Sequence, residues 1–259
     1  MNPEPGPVLH AVILAAGLGA RLRGVLGHLP KPLLSVGGRT LLERSVDRLR
    51  EGGAASITVV AGHRADLLVD ALRVVAPDAR VVLNPDPGGN GSMRSLALAV
   101  EAWGAALPEE VLVVEGDLLY GRRALEALRT APPASATVLC STPTGAGDEV
   151  WVRGAEGRVA AIGKEPAGAP DALGELVGLS RVGRAVLLDM VSSHRRSGAD
   201  SEREHYEERL AAVASRHEVR ALVVADLVWA EVDHAAHLQR VRTRVLPRLA
   251  EEEGAPRPA

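Results

Sequence analysis

Apolar and polar positions fall into blocks along this chain. Ala11-Val12-Ile13-Leu14-Ala15 is a continuous apolar run with the length of a buried parallel strand. Similar runs at Ile57 to Ala61, Val81 to Leu83, Val111 to Glu115, Thr137 to Cys140, Glu175 to Val182, Val219 to Val224 and Val228 to Val232 also read as strands. Between them the period lengthens to that of helices. Thr40-Leu41-Leu42-Glu43 is a capping-box pattern opening a helix to Glu51, which Gly52-Gly53 stops. Further helices are predicted over Ala65 to Val75, Ser92 to Trp103, Arg122 to Arg129, Arg184 to His194, Glu204 to Ser215 and Ala235 to Leu249. The segment Asn84 to Gly91, rich in Pro, Gly, Asn and Asp, is a loop.

Strand–helix alternation of this kind predicts an α/β fold: a doubly wound, mostly parallel sheet with right-handed crossovers, Rossmann-like in arrangement. The middle departs from it. Glu149 to Arg153 and Arg158 to Ile162 flank Gly154-Ala155-Glu156-Gly157, which reads as a small β-hairpin insertion with a four-residue loop. Residues 1–250 are expected to form a single domain, with about 145–215 as a subregion of its own character. The charged, proline-rich tail 251–259 is expected to be disordered. No internal repeat is present, and no hexapeptide array of a β-helix is appended.

Composition narrows the function classes. At 46% hydrophobic the chain can build a full core, but Phe is absent and aromatics total 2%, so that core is aliphatic. A net charge of −3 offers no global basic field for nucleic acid. The single cysteine, Cys140, sits in an apolar run and reads as a buried hydrophobe; one cysteine makes no internal disulfide. No apolar run reaches the roughly 20 residues of a membrane span, and the first residues lack the features of a leader peptide. A cytoplasmic protein without membrane partners is the expectation.

Candidate chemistry begins where the first strand ends. Ala16-Gly17-Leu18-Gly19-Ala20-Arg21 lets backbone N–H groups approach an anion closely, and Arg21 can grip phosphate through two parallel hydrogen bonds. Ten residues on, Pro30-Lys31-Pro32 stiffens a lysine from both sides. A dinucleotide fingerprint would want a third glycine and a Walker loop a Gly-Lys-Ser/Thr; neither is present. Asp117 follows the strand ending at Glu115 and reads either as a Mg²⁺ ligand facing a triphosphate or as a cap of the following helix. In Trp229-Ala230-Glu231-Val232-Asp233, the alternation puts Trp229, Glu231 and Asp233 on one face, a site wall or a solvated edge. His234 and His237 are spaced i, i+3 with no third metal ligand nearby in sequence.

The pattern LAAGxGxRL followed by PKPLL resembles the signature of nucleotidyltransferases that act on sugar phosphates and small alcohol phosphates. The Asp117 context, the WxEVD segment and the last predicted helix look closest to the phosphocholine and phosphonate cytidylyltransferase branch, over about Val8 to Leu249. That resemblance implies nucleotide contacts from Leu14, Ala15, Ala16, Gly17, Gly19, Asn90, Ser92 and Ser95, with Arg21 and Lys31 as the catalytic cations. It implies Mg²⁺ on Asp117 and Asp233, with Glu231 next to them. On the acceptor side, within and around 145–215, it points to Arg94, Trp151, Lys164, Tyr206 and Trp229. The three rings read equally as a cage around a cation or as packing.

The implied reaction transfers CMP from CTP to a small phosphonate or phosphate and releases pyrophosphate. A sugar-1-phosphate nucleotidyltransferase and a non-catalytic nucleotide-binding module are the alternatives. A homodimer is compatible with either. The acceptor oxygen is already anionic near neutral pH, because the second pKa of a phosphate ester is about 6, so no general base is required.

Overall fold

The computed structural model describes residues 9–164 and 171–254. The chain enters on β1 (Leu9–Ala15), makes a helical turn α1 (Arg23–Leu26), and passes through a ribbon of β2 (Ser35–Val36) and β3 (Arg39–Thr40). Then follow α2 (Leu41–Glu51), β4 (Ala54–Ala61), α3 (Ala65–Val75), β5 (Arg80–Leu83), α4 (Ser92–Trp103), β6 (Glu110–Glu115), β7 (Leu118–Tyr120), α5 (Arg122–Thr130) and β8 (Ala136–Ser141). The hairpin β9 (Trp151–Ala155) and β10 (Arg158–Gly163) precedes the long β11 (Ala172–Gly183), α6 (Arg184–Ser197) and α7 (Tyr206–Val213). The chain closes with β12 (Val219–Val223), β13 (Trp229–Glu231), α8 (Ala235–Arg240), a π turn at Val241–Val245, and α9 (Leu246–Gly254).

Local chemistry accounts for the element ends. Thr40 Oγ1 accepts the Glu43 N–H at 3.1 Å and a Glu43 carboxylate oxygen accepts the Thr40 N–H at 2.5 Å, the predicted capping box. In the hairpin, Arg158 pairs with Ala155, so the loop has two residues rather than the predicted four. Glu156 and Gly157 take φ of 52° and 73°, the mirror-image turn that matches strand twist.

The sheet order is β5-β4-β1-β6-β11-β8-β12-β10-β9, and β9 also pairs with the start of β11. The predicted parallel arrangement holds for β5, β4, β1 and β6. Beyond β6 the sheet is mixed: β11 runs antiparallel to both β6 and β8, and β10 antiparallel to β12 and β9. An apolar strand covered on both faces reads the same in either direction, so the sequence did not reveal this reversal.

The sheet is covered on both sides, as alternation along β1 requires. Val12 and Leu14 join a core with Leu96 of α4, Leu187 and Met190 of α6, and Tyr206 and Leu210 of α7. Ala11, Ile13 and Ala15 face Val46 of α2, Leu68 of α3 and Leu125 of α5. Each large aliphatic side chain fully buried here contributes about 1.5–3 kcal/mol. A third cluster joins Leu22, Leu26 and Leu41 to Leu119, Val228, Ala230 and Val232.

The start of the tail is ordered, contrary to expectation. Residues Glu251 to Gly254 continue α9, tied down by an Arg48–Glu253 ion pair and by a Glu252 carboxylate accepting the Arg123 N–H at 3.0 Å. The expectations for the tail beyond Gly254 and for residues 1–8 lie outside the described residues.

Candidate active site

Ligands of open α/β sheets lie beyond the carboxyl ends of the strands. A cavity of about 650 Å³ opens there, past β1 and β6. Two local arrangements bring its walls together. The Pro30-Lys31-Pro32 stretch makes a tight helical turn in which Lys31 is 9% exposed. The ribbon β7–β13 pairs Leu118 with Glu231 and Tyr120 with Trp229, and the Val232 N–H donates to the Asp117 carbonyl at 3.2 Å. One face of that ribbon is apolar; Trp229, Glu231 and Asp233 occupy the other and line the cavity, as the alternation predicted.

Lys31 is the hub. Its Nζ donates to Asp117 Oδ2 at 2.5 Å and to Asp233 Oδ1. Arg21 Nη2 pairs with the other Asp233 oxygen, Oδ2, and Arg21 Nη1 lies 3.6 Å from Asp148. Neither aspartate caps a helix: α5 starts after Gly121 and α8 after His234. Burial acts to lower the Lys31 pKa, but the carboxylates of Asp117, Asp233 and Glu231 outweigh it and hold the ammonium above its ordinary range. Burial acts to raise Asp233, yet its hydrogen bond with Glu231 and the charges of Lys31 and Arg21 hold it below the usual carboxylate range.

Among the neighbouring acids the balance reverses. Burial, then the charges of Asp117 and Asp233, push Glu231 up to about 9. Burial, then Glu207, Asp117 and Glu231, raise Glu115 well above a normal carboxylate, and burial raises Glu207 as well. Glu115, Asp117 and Glu231 each offer an oxygen within 4.8 Å of the others, and Asp117 Oδ1 is buried without a hydrogen-bond partner among the described residues. An all-oxygen set with an orphaned carboxylate oxygen fits a hard divalent cation such as Mg²⁺.

The other predicted residues divide. Leu14, Ala15, Ala16, Gly17, Asn90, Ser92, Ser95 and Lys164 line the cavity. Ser95 Oγ accepts from the Asn84 amide at 3.1 Å, and Ser92 Oγ accepts the Tyr206 N–H at 2.9 Å. Gly19 stands behind the wall: a Cβ there would lie 3.5 Å from Lys31 Cβ. Arg94 turns away to Glu101 at 3.3 Å. Trp151 and Tyr206 lie outside the lining; Tyr206 is fully buried, with its hydroxyl 3.4 Å from Ser180 Oγ. Of the three rings, Trp229 alone reaches the cavity, so they do not meet around a common point.

Sequence reasoning missed Glu115, Glu207, Asp148 and His237, which all line the cavity. Two carried a signal. Glu115 shares the period-2 face of Val111 and Val113, and Glu207 sits three residues before Leu210 on the buried face of α7. Asp148 is remote in sequence, yet it is the third potential ligand that the two histidines lacked, within 4.8 Å of both. His237 Nδ1 accepts the Asp233 N–H at 3.3 Å, so the neutral ring carries its proton on Nε2, which faces Asp148 at 3.3 Å. Nε2 lies near Asp148 Oδ1 without making a hydrogen bond to it, so the ring is fixed by its bond to the Asp233 N–H.

Known proteins share this architecture. The inositol-1-phosphate CTP transferase of T. maritima superposes with a TM-score of 0.80 at 21% identity, covering 98% of this chain and 100% of that one. The CTP:phosphocholine cytidylyltransferase of Streptococcus pneumoniae gives 0.72 at 18% identity, covering 91% of this chain and 98% of that one. At such identities the likeness concerns the fold. Among curated relatives, the CMP-5'-(3-aminopropyl)phosphonate synthase of Streptomyces rubellomurinus is 38% identical over 148 residues, 55% of this chain and 22% of that protein. The bifunctional IPC transferase and DIPP synthase of Rubrobacter xylanophilus is 34% identical over 241 residues, 91% of this chain and 52% of that protein. The chain thus spans about half or less of the length of these two relatives. A family model described as the MobA-like NTP transferase domain matches residues 11–257, nearly the whole sequence, and the chain therefore belongs to the MobA-like NTP transferases.

Proposed function

We propose that this nucleotidyltransferase is a CTP-dependent cytidylyltransferase that joins CMP to a small phosphonate or phosphate and releases pyrophosphate. The observation that carries the reading is the pairing of Lys31 with Asp117 and Asp233 beside the glycine loop. Two relatives support the base and acceptor class by their names, a CMP-phosphonate synthase and an IPC transferase.

Lys31 and Arg21 neutralise Asp233 until a triphosphate competes for them. They then turn to the phosphate oxygens and compensate charge as the acceptor oxygen attacks the α-phosphorus in line. The new bond joins acceptor oxygen to α-phosphorus; the bond that breaks leads to the pyrophosphate oxygen. The acceptor arrives as an anion, so no protein base removes a proton. Catalysis rests on positioning and charge compensation.

Asp117 and Glu231 would hold Mg²⁺, joined by Asp233 once its cations move to the nucleotide. The metal would supply further charge compensation on the phosphates. Gly17, Asn90, Ser92 and Ser95 would contact the nucleotide, and Lys164 and Trp229 the acceptor.

The test is a panel of CTP, UTP, dTTP, ATP and GTP against small phosphonates, phosphocholine, inositol 1-phosphate and glucose 1-phosphate, read as pyrophosphate release. CTP with a phosphonate should give the highest kcat/KM. Turnover confined to another nucleotide, or to sugar phosphates, would overturn the reading.

A further inference from the structure

A cation on the cavity wall has no committed partner. Arg240, the last residue of α8, is half-buried and lines the cavity. Among the described residues its guanidinium makes no hydrogen bond and no ion pair. Its Nε is buried, whereas the two terminal nitrogens are accessible and unbonded.

The helix sets its place. Leu238 and Val241 are buried in the cluster with Leu22, Leu26 and Leu41, which turns that face of α8 inward. His237 and Arg240, three residues apart, share the face toward the cavity. The π turn Val241–Val245 begins directly after Arg240, and the Val241 N–H reaches both the His237 and the Leu238 carbonyl. Wide turns of this kind are frequent at functional sites.

The acids that feel its charge are engaged elsewhere. Glu175, raised by burial, accepts the Thr144 N–H and, at 3.0 Å, the Thr144 hydroxyl. Glu149 accepts the Gly147 N–H at 3.1 Å, the first cause of its lowered pKa. The charge of Arg240 favours the ionised form of both without pairing directly with either. These acids place Arg240 beside the acceptor half of the cavity. The triphosphate has Arg21, Lys31 and the glycine loop. The acceptor is an anion too, yet Arg94 turns away to Glu101 and Lys164 is exposed. Two anions brought together need a cation on each side.

We infer that Arg240 binds the phosphonate or phosphate oxyanion of the acceptor. This rests on the cytidylyltransferase reading and deepens it. The planar fork of a guanidinium matches two oxygens of a tetrahedral phosphorus group. The third oxygen remains free to attack the α-phosphorus. Arg240 thus orients the acceptor and offsets its charge, and it takes no proton.

The test is calorimetric titration of 2-hydroxyethylphosphonate into the enzyme holding Mg²⁺ and a non-hydrolysable CTP analogue, beside titration of the analogue itself. Arg240→Met should weaken phosphonate binding by about tenfold or more and leave binding of the analogue within about twofold. Arg240→Lys keeps the charge but loses the fork and should fall between wild type and Arg240→Met. Urea midpoints check that both variants are folded. Phosphonate affinity within about twofold of wild type in Arg240→Met overturns the proposal. So does a loss confined to the analogue or shared equally with it, and so does a wild type that does not bind the phosphonate. Phosphonate binding that depends on Arg240 without turnover of the phosphonate with CTP would fell the transferase reading and keep the site. Turnover in Arg240→Met with the kcat and KM of wild type would fell the site and leave the transferase.

Discussion

Glu231 and Asp233 stand two residues apart on the same face of one segment, yet their carboxyl groups are driven in opposite directions. Burial, Asp117 and Asp233 raise Glu231 to about 9, whereas Asp233, also opposed by burial, is held below the ordinary range by Glu231, Lys31 and Arg21. The same contrast divides the cavity. On the glycine-loop side Asp117 and Asp233 are met by cations of the chain itself; on the side of α7, Glu207 is buried and the half-buried Glu115 stands among other acids. The difference shows where external charge is expected: anions displace the carboxylates from Lys31 and Arg21, and cations come to the acids that have no such partner.

Removing the metal or its ligands should break the comparison most severely. EDTA should abolish turnover and Mg²⁺ restore it. Asp117→Asn and Asp233→Asn should each lower kcat by about 10³-fold, and the double variant should be little worse than either, because the residues act as a unit. Multiplicative losses in steady-state kinetics, or activity that survives EDTA, would separate the two aspartates functionally.

A smaller effect appears in stability against pH. Glu231 has a raised folded pKa of about 9 against an ordinary 4.5. Between those values the folded chain retains a proton that the unfolded chain has lost, so this group's contribution falls as pH rises through the window. Glu231→Gln should flatten the decline of the urea midpoint between pH 5 and 9 when measured in EDTA. A slope equal to that of the wild type would show that Glu231 carries no such load.

Cys140 supplies the case of burial acting without charged neighbours, which pushes its thiol up to about 12. It should be inert to Ellman's reagent in the native protein and react fully once unfolded, with little change in kinetics for Cys140→Ala. Rapid labelling of the native enzyme would mean that this strand opens.

Much of this was legible in the sequence, and the illegible parts have identifiable causes. α3 and α4 fall at their predicted limits because the apolar period defines them even though neither start carries a side-chain cap. Lys31, Arg21 and the face shared by Trp229, Glu231 and Asp233 follow from motif and alternation. The reversal of β11 was invisible because a strand buried on both faces carries no directional signal. Asp148 came to the cavity through tertiary packing. Tyr206 looked like a pocket ring because aromatics are scarce, but it opens α7 fully buried in the core.

The pairing of Lys31 with Asp117 and Asp233 is the claim on which the functional account stands, and its direct test is the kcat/KM for CTP of Lys31→Ala at saturating acceptor and Mg²⁺. Loss of a charge-stabilising group of this kind predicts a drop of about 10²-fold or more in a variant that remains folded by its urea midpoint. A folded Lys31→Ala enzyme within about twofold of wild type would contradict the account.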